Sequence, residues 1–190
     1  MKYFSWKIVR RRSLAPVAAA LLLAFTARTK IPAQDHPLPS EVHTSPDVLI
    51  PESQRKVAPD FTLTDATGLP ITLSQLRGKV VLLDFWATWC GGCKLEIPWY
   101  MEFDKRYRAD GLAVIGVSTD DEGMKVVKPF LAQRHIEYPV VIGNEAMEKS
   151  FGLGAMPLTL LIDRKGKIAV SHSGVVDKDD FEMHVRQLLQ

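Results

Sequence analysis

Val80-Val81-Leu82-Leu83-Asp84-Phe85-Trp86-Ala87-Thr88-Trp89-Cys90-Gly91-Gly92-Cys93-Lys94-Leu95-Glu96-Ile97-Pro98 is the stretch on which the fold turns. Val80 to Phe85 is apolar except at Asp84 and does not alternate, which predicts a central strand buried on both faces. Leu95 to Arg108 carries apolar residues at helical spacing, with Pro98 inside it predicting a kink, and Gly111 ends it. The two cysteines therefore fall where a buried strand hands over to a helix.

Working toward the C-terminus, Leu112 to Val117 reads as a second buried strand and Met124 to Arg134 as a helix crossed by Pro129. Tyr138 to Ile142 is a short extended segment, and Glu145 to Phe151 one or two helical turns. Leu158 to Ile162 and Lys167 to Ser171 flank Asp163-Arg164-Lys165-Gly166, the chemistry of a hairpin turn. Asp177 or Asp179 caps a last helix running to Gln190. Toward the N-terminus, Phe61 to Thr64 and Ile71 to Leu73 bracket Asp65-Ala66-Thr67-Gly68 as another hairpin. The expected fold is α/β: a central mixed sheet, parallel in its first half and antiparallel in its second, with helices on both faces and an N-terminal β-hairpin extension.

A Cys-x-x-Cys pair is either a redox couple or half of a metal site. These are the only two cysteines in 190 residues. A zinc site needs two further ligands at suitable spacing, and His135 and His172 are isolated while His36 and His43 lie in a proline-rich stretch. No metal is expected. At the amino end of a helix, unpaired N–H groups and the helix dipole favour a thiolate at Cys90, making it the attacking sulfur. Cys93, one turn further in, is the shielded sulfur that attacks second and resolves the mixed disulfide. Asp84, inside an apolar strand, is expected to have a raised pKa. It either takes the proton from Cys93 or is a buried acid satisfied by a hydrogen bond. Trp89 and Trp86 supply apolar cover near the sulfurs, Trp86 more as core.

The N-terminal residues read as an address. Lys2, Lys7, Arg10, Arg11 and Arg12 precede the uncharged run Leu14 to Ala27, and Arg28 and Lys30 follow it. Residues 1–30 are expected to be an export signal peptide or an N-terminal membrane anchor. The run is short of the roughly 20 residues of a spanning helix, and its small-x-small cleavage sites are poor. Arg11-Arg12-Ser13-Leu14 matches a twin-arginine signal only in part. Residues 31–56, with Pro32, Pro37, Pro39, Pro46 and Pro51 and no apolar periodicity, read as a linker, leaving 57–190 as one domain. The formal net charge of +2 is more than accounted for by Arg10 to Arg12. Nothing in it implies a nucleic-acid partner.

Asp84 to Lys94 resembles the active-site segment of thioredoxins, and Cys93-Lys94-Leu95-Glu96-Ile97-Pro98 resembles the CxxExP continuation of the TlpA/ResA branch, whose members are exported and usually anchored. The resemblance covers roughly Val57 to Gln190. It implies a thioredoxin-like fold, no cofactor, and a cis-proline at Pro157 in Gly154-Ala155-Met156-Pro157-Leu158-Thr159. That loop lies against the disulfide, where Met156 offers its backbone to an extended substrate; a cis bond is cheap only before proline. It also implies that Glu96 modulates the cysteines, although by position a solvated helix-surface carboxylate fits too. One departure is Gly91-Gly92, where relatives often have a residue followed by proline; two glycines loosen the first helical turn.

The branch implies a reductant working outside the cytoplasm. It would act on exported proteins with cysteines, in cytochrome c maturation or copper-site assembly, and would be re-reduced by a membrane thiol-disulfide carrier. A disulfide-forming oxidant of the same fold is the alternative, and a Cu(I)-binding thiol chaperone another, against which the lack of a neighbouring histidine counts. A peroxidase of the related peroxiredoxin type needs Pro-x-x-x-Thr-x-x-Cys around its nucleophile; Leu83 and Ala87 stand at those positions before Cys90, so that reading is set aside.

Overall fold

The computed structural model describes residues 48–190. The signal or anchor expected over residues 1–30, and the linker as far as residue 47, lie outside the described residues. In chain order the elements are β1 (Thr62–Thr64), β2 (Pro70–Thr72), β3 (Val80–Trp86), α1 (Gly91–Tyr107), β4 (Leu112–Ser118), α2 (Met124–Arg134), β5 (Val140–Ile142), α3 (Glu145–Phe151), β6 (Leu158–Ile162), β7 (Ile168–Ser173) and α4 (Lys178–Leu189). The five-stranded sheet has the order β5-β4-β3-β6-β7, and β1 and β2 form a separate hairpin. β3, β4 and β5 are parallel, while β6 and β7 are antiparallel to their neighbours.

All seven residues of β3 are buried, because it is the middle strand and both its faces are covered. Side chains alternate along a strand, and β3 sorts its residues accordingly. Val80, Leu82 and Trp86 pack with Ile97, Tyr100 and Phe103 of α1, Val127 of α2 and Phe181 of α4. Val81, Leu83 and Phe85 pack with Met147 and Phe151 of α3 and with Leu63 and Ile71 of the hairpin. Asp84 belongs by this alternation to the α1 face. Pro98 lies inside α1 without ending it. Leu73, expected in the hairpin's second strand, instead opens a 3-10 turn over Leu73–Leu76.

Both sheet edges are covered, as soluble sheets require to avoid pairing with other chains. At β5, Ala66 donates to the Val140 carbonyl at 2.9 Å and Asp65 bridges Val141. At β7, residues read from sequence as the end of the linker are fastened to the domain. Ile50 donates to Ala169 O and Ile168 to Lys56 O, both at 2.8 Å. Arg55 pairs with Asp163 at 3.0 Å. Asp163 also takes the amides of Lys165 and Lys167, both at 2.9 Å, and so closes the β6–β7 turn. Backbone bonds to an edge strand leave no mark on side-chain pattern, so a stretch without apolar periodicity reads as a linker although its last residues are packed.

Arg55 and Asp163 are only 11% and 8% exposed. Removing one partner of a buried pair strands the other charge. Arg55→Ala is therefore expected to lower stability by about 3 kcal/mol, seen as a lower urea midpoint.

Candidate active site

β3 ends at Trp86, and the chain must turn into α1 within a few residues. Asp120, 3% exposed, holds that turn. Its carboxylate accepts the Thr88 amide at 2.9 Å, the Thr88 hydroxyl at 2.6 Å and the Ser118 hydroxyl at 2.8 Å. Thr119 donates its amide to the Trp86 carbonyl at 2.9 Å. The end of β4 thus fixes the end of β3, and Cys90 falls at the N-cap of α1. Its Sγ accepts the Cys93 amide at 3.2 Å.

Cys90 and Cys93 are joined in a disulfide with Cα atoms 5.4 Å apart, so this is the oxidised state. Cys93 is fully buried, while Cys90 keeps 6% of its surface. The Met156–Pro157 bond is cis. The Thr119 hydroxyl donates to Met156 Sδ at 3.2 Å, and the Pro157 carbonyl accepts from the Gly174 amide at 2.8 Å.

The two glycines between the sulfurs differ. A Cβ on Gly91 would meet nothing within 4 Å, whereas one on Gly92 would lie 2.8 Å from Val175 Cγ2 and 3.3 Å from Pro157 Cδ. The absent Cβ at Gly92 thus lets the cis-proline and Val175 pack against the first turn of the helix.

Glu96, one helical turn beyond Cys93 on α1, belongs to a buried polar cluster. Asp84 and Glu96 are both fully buried, which excludes the solvated surface carboxylate considered for Glu96. The apolar spacing of α1 already turns Glu96 inward beside Ile97 and Tyr100. Glu96 Oε1 accepts the Val176 amide at 2.8 Å. Thr159, the register partner of Asp84 across β3–β6, bonds the Tyr100 hydroxyl at 2.9 Å and donates to Asp84 Oδ1 at 3.5 Å. Asp84 Oδ2 has no hydrogen-bond partner among the described residues. Burial pushes the Asp84 carboxyl well above the usual carboxylate range, and the nearby Glu96 charge adds to it, opposed by the Thr159 hydroxyl. Burial, then the charges of Asp84 and Glu96, likewise raises the Tyr100 phenol.

Of the residues singled out from sequence, Cys90, Cys93, Pro157, Asp84 and Glu96 converge through this cluster and loop. Trp89 is 66% exposed. Trp86 is core, its ring 5.2 Å from that of Phe130. Sequence reasoning missed Asp120, Tyr100, Thr159 and the Val175–Val176 segment. Tyr100 was findable, four residues after Glu96 on the same helical face, and Thr159 as the lone hydroxyl in an apolar strand. A backbone donor such as Val176 N–H has no sequence signal. Among the described residues no three His, Cys, Asp or Glu side chains are grouped to hold a metal ion.

A disulfide that opens a helix beside a cis-proline, on a mixed sheet with helices on both faces, defines a thioredoxin-like thiol-disulfide oxidoreductase. The sequence model of the AhpC/TSA family matches residues 55–171. The chain belongs to that family, among its ResA-like thiol-disulfide oxidoreductases. It is 34% identical over 134 residues to the thiol-disulfide oxidoreductase ResA of Bacillus anthracis, covering 70% of this chain and 77% of that one. It is 33% identical over 144 residues to the thioredoxin-like protein YneN of Bacillus subtilis, covering 75% and 83%. The crystal structure of a putative thiol:disulfide interchange protein DsbE from Chlorobium tepidum superposes with a TM-score of 0.67 at 35% identity, covering 72% of this chain and 97% of that one.

Gly92→Ala is expected to destabilise the oxidised protein by about 1–3 kcal/mol through overpacking. Gly91→Ala is neutral or stabilising by up to about 1 kcal/mol, because alanine is the better helix former; urea midpoints compare the two. Asp84→Asn carries a sign. An acid whose folded pKa is raised contributes stability in acid, which is lost as pH rises from the unfolded value of about 4 toward the folded one. Asp84→Asn escapes that loss, so its advantage over wild type opens above about pH 4 and is retained at neutral pH. A wild-type minus variant difference independent of pH counts against a raised Asp84.

Proposed function

We propose that this oxidoreductase works outside the cytoplasm as a dithiol reductant, with Cys90 as nucleophile and Cys93 as resolving thiol. The observation that carries the reading is the pair of neighbouring buried acids, Asp84 and Glu96, the latter one helical turn beyond Cys93. The Cys90 thiolate, favoured by the amino end of α1, attacks one sulfur of a substrate disulfide. A Cys90–substrate disulfide forms, and the second substrate sulfur leaves as a thiolate that takes a proton from water. Cys93 then gives its thiol proton to the Asp84 carboxylate and attacks Cys90 Sγ. The Cys90–Cys93 disulfide forms, the first substrate sulfur departs as a thiolate that takes up a proton, and Asp84 gives up the proton it had accepted. Two electrons have passed from enzyme to substrate.

Negative charge behind the sulfurs disfavours thiolates and so the reduced enzyme, which lowers the potential. Stabilising the reduced form has the opposite effect in strong oxidants. The acids therefore favour donation of electrons. Glu96, near Asp84, tunes that proton acceptor. Trp89 and the backbone at Met156 and Pro157 receive the substrate chain. Residues 1–30 export the domain and either stay as its membrane anchor or are cleaved, with the proline-rich segment after them as spacer. The substrates are exported proteins with oxidised cysteine pairs, such as apocytochrome c, and a membrane thiol-disulfide carrier returns the electrons.

Cys93→Ser is expected to accumulate a mixed disulfide through Cys90, with Cys90→Ser inert; trapping through Cys93 instead reverses the roles. Equilibration with glutathione should give a potential near thioredoxin's, about −270 mV, whereas a value above about −180 mV makes the protein an oxidant.

A further inference from the structure

We propose that His172 is a positioning residue of the redox centre, acting through the segment Ser173–Val176. This segment touches the site at three points. The Gly174 amide holds the Pro157 carbonyl, Val175 closes over Gly92, and the Val176 amide bonds Glu96 at 2.8 Å. Val176 is anchored in the core, and His172, half-buried on β7, adds a hold on the peptide before it, with Nε2 lying 3.3 Å from the Val175 carbonyl. A carbonyl only accepts, so the ring donates from Nε2. His172 is also the register partner of Thr159, which pairs in turn with Asp84. Residues directly opposite on antiparallel strands share a face, so the imidazole stands on the sheet face that carries the acid cluster.

The bond constrains the peptide joining Val175 to Val176, and that peptide's N–H is the one given to Glu96. Loss of the ring donor frees it to rotate, weakening the bond from Val176 to Glu96 and releasing Val175 from Gly92. Other ionisable groups around the segment are Asp84 on β3, Tyr100 on α1, and Asp177 and Lys178 at the head of α4. Asp177 caps its own helix through the Asp179 and Asp180 amides, and Lys178 pairs with Glu102 at 2.7 Å.

The inference rests on the role given above to Glu96, and the experiment separates the two. The equilibrium constant with glutathione is measured at one pH for wild type, H172A, H172L, H172Q, E96Q and H172A/E96Q. H172A and H172L, which lack the donor, are expected to shift it by about threefold to tenfold. H172Q, whose amide can donate to the same carbonyl, restores most of the wild-type value, and H172A adds nothing to E96Q. If E96Q leaves the constant unmoved, the acid-pair reading fails. If E96Q moves it while the His172 variants do not, or if their effects add, this inference alone is overturned. Nitrogen NMR of the wild-type ring provides a check that needs no variant: the Nε2–H tautomer is expected, and an Nδ1–H tautomer overturns the inference.

Discussion

Two carboxyl groups removed from water beneath a disulfide are the constraint to which this site answers. An isolated ionised carboxylate is very costly in an apolar interior, and two near one another cannot both ionise cheaply. β3 is covered on both faces, so Asp84 has no path to solvent. Glu96 arrives from α1 to share its surroundings, and its charge adds to the burial that raises the Asp84 carboxyl. Thr159 and the Val176 amide supply neutral hydrogen bonds, which partly offset the desolvation without removing it. The site is thus able to hold and release a proton at the place where the inner thiol must lose one.

The two sulfurs consequently live in different fields although they are bonded to each other. Cys90 is the N-cap of a 17-residue helix, and its sulfur faces the Cys93 amide. Cys93, one turn further in, is buried with Trp86, Ile97 and Tyr100 on the side where the acids lie. The helix end draws negative charge outward to Cys90, and the acids repel it from Cys93. That difference of surroundings is what the proposed order of attack rests on, with the outer sulfur as nucleophile and the inner one resolving.

Much of the framework was legible because it rests on side-chain pattern. The unbroken apolar run at Val80 to Phe85 marked the central strand. The Cys-Gly-Gly-Cys spacing marked the redox pair, and Asp84 stood out because nothing else in its strand is polar. α2 was read to the residue, since Met124 and Arg134 bound a clear helical period. What escaped was built from backbone. The covering of β7 by residues before Val57, the amide that holds Glu96 and the link from Gly174 to Pro157 depend on N–H and C=O groups that every residue carries. Glu96 was left between two fates because helical spacing gives its face but not what covers that face. Asp120 escaped because Thr88, in the turn that it holds, follows a different strand and lies 32 residues away in sequence.

The glycine pair shows how pattern and packing can point in opposite directions. Read alone, Gly91-Gly92 weakens the first turn of α1, since glycine has more freedom to lose than any other residue. Gly92 is nevertheless held, because the absent Cβ lets Pro157 and Val175 approach to distances a side chain would forbid. A proline at that position stiffens the turn from within. Here stiffness is imposed from without, by a cis-proline on one element and a valine on another, and both are joined through Gly174. The first turn of α1, which carries the disulfide, is therefore packed jointly against the loop before β6 and the loop after β7. Substitutions in the last of these, remote in sequence from either cysteine, bear on the same redox couple.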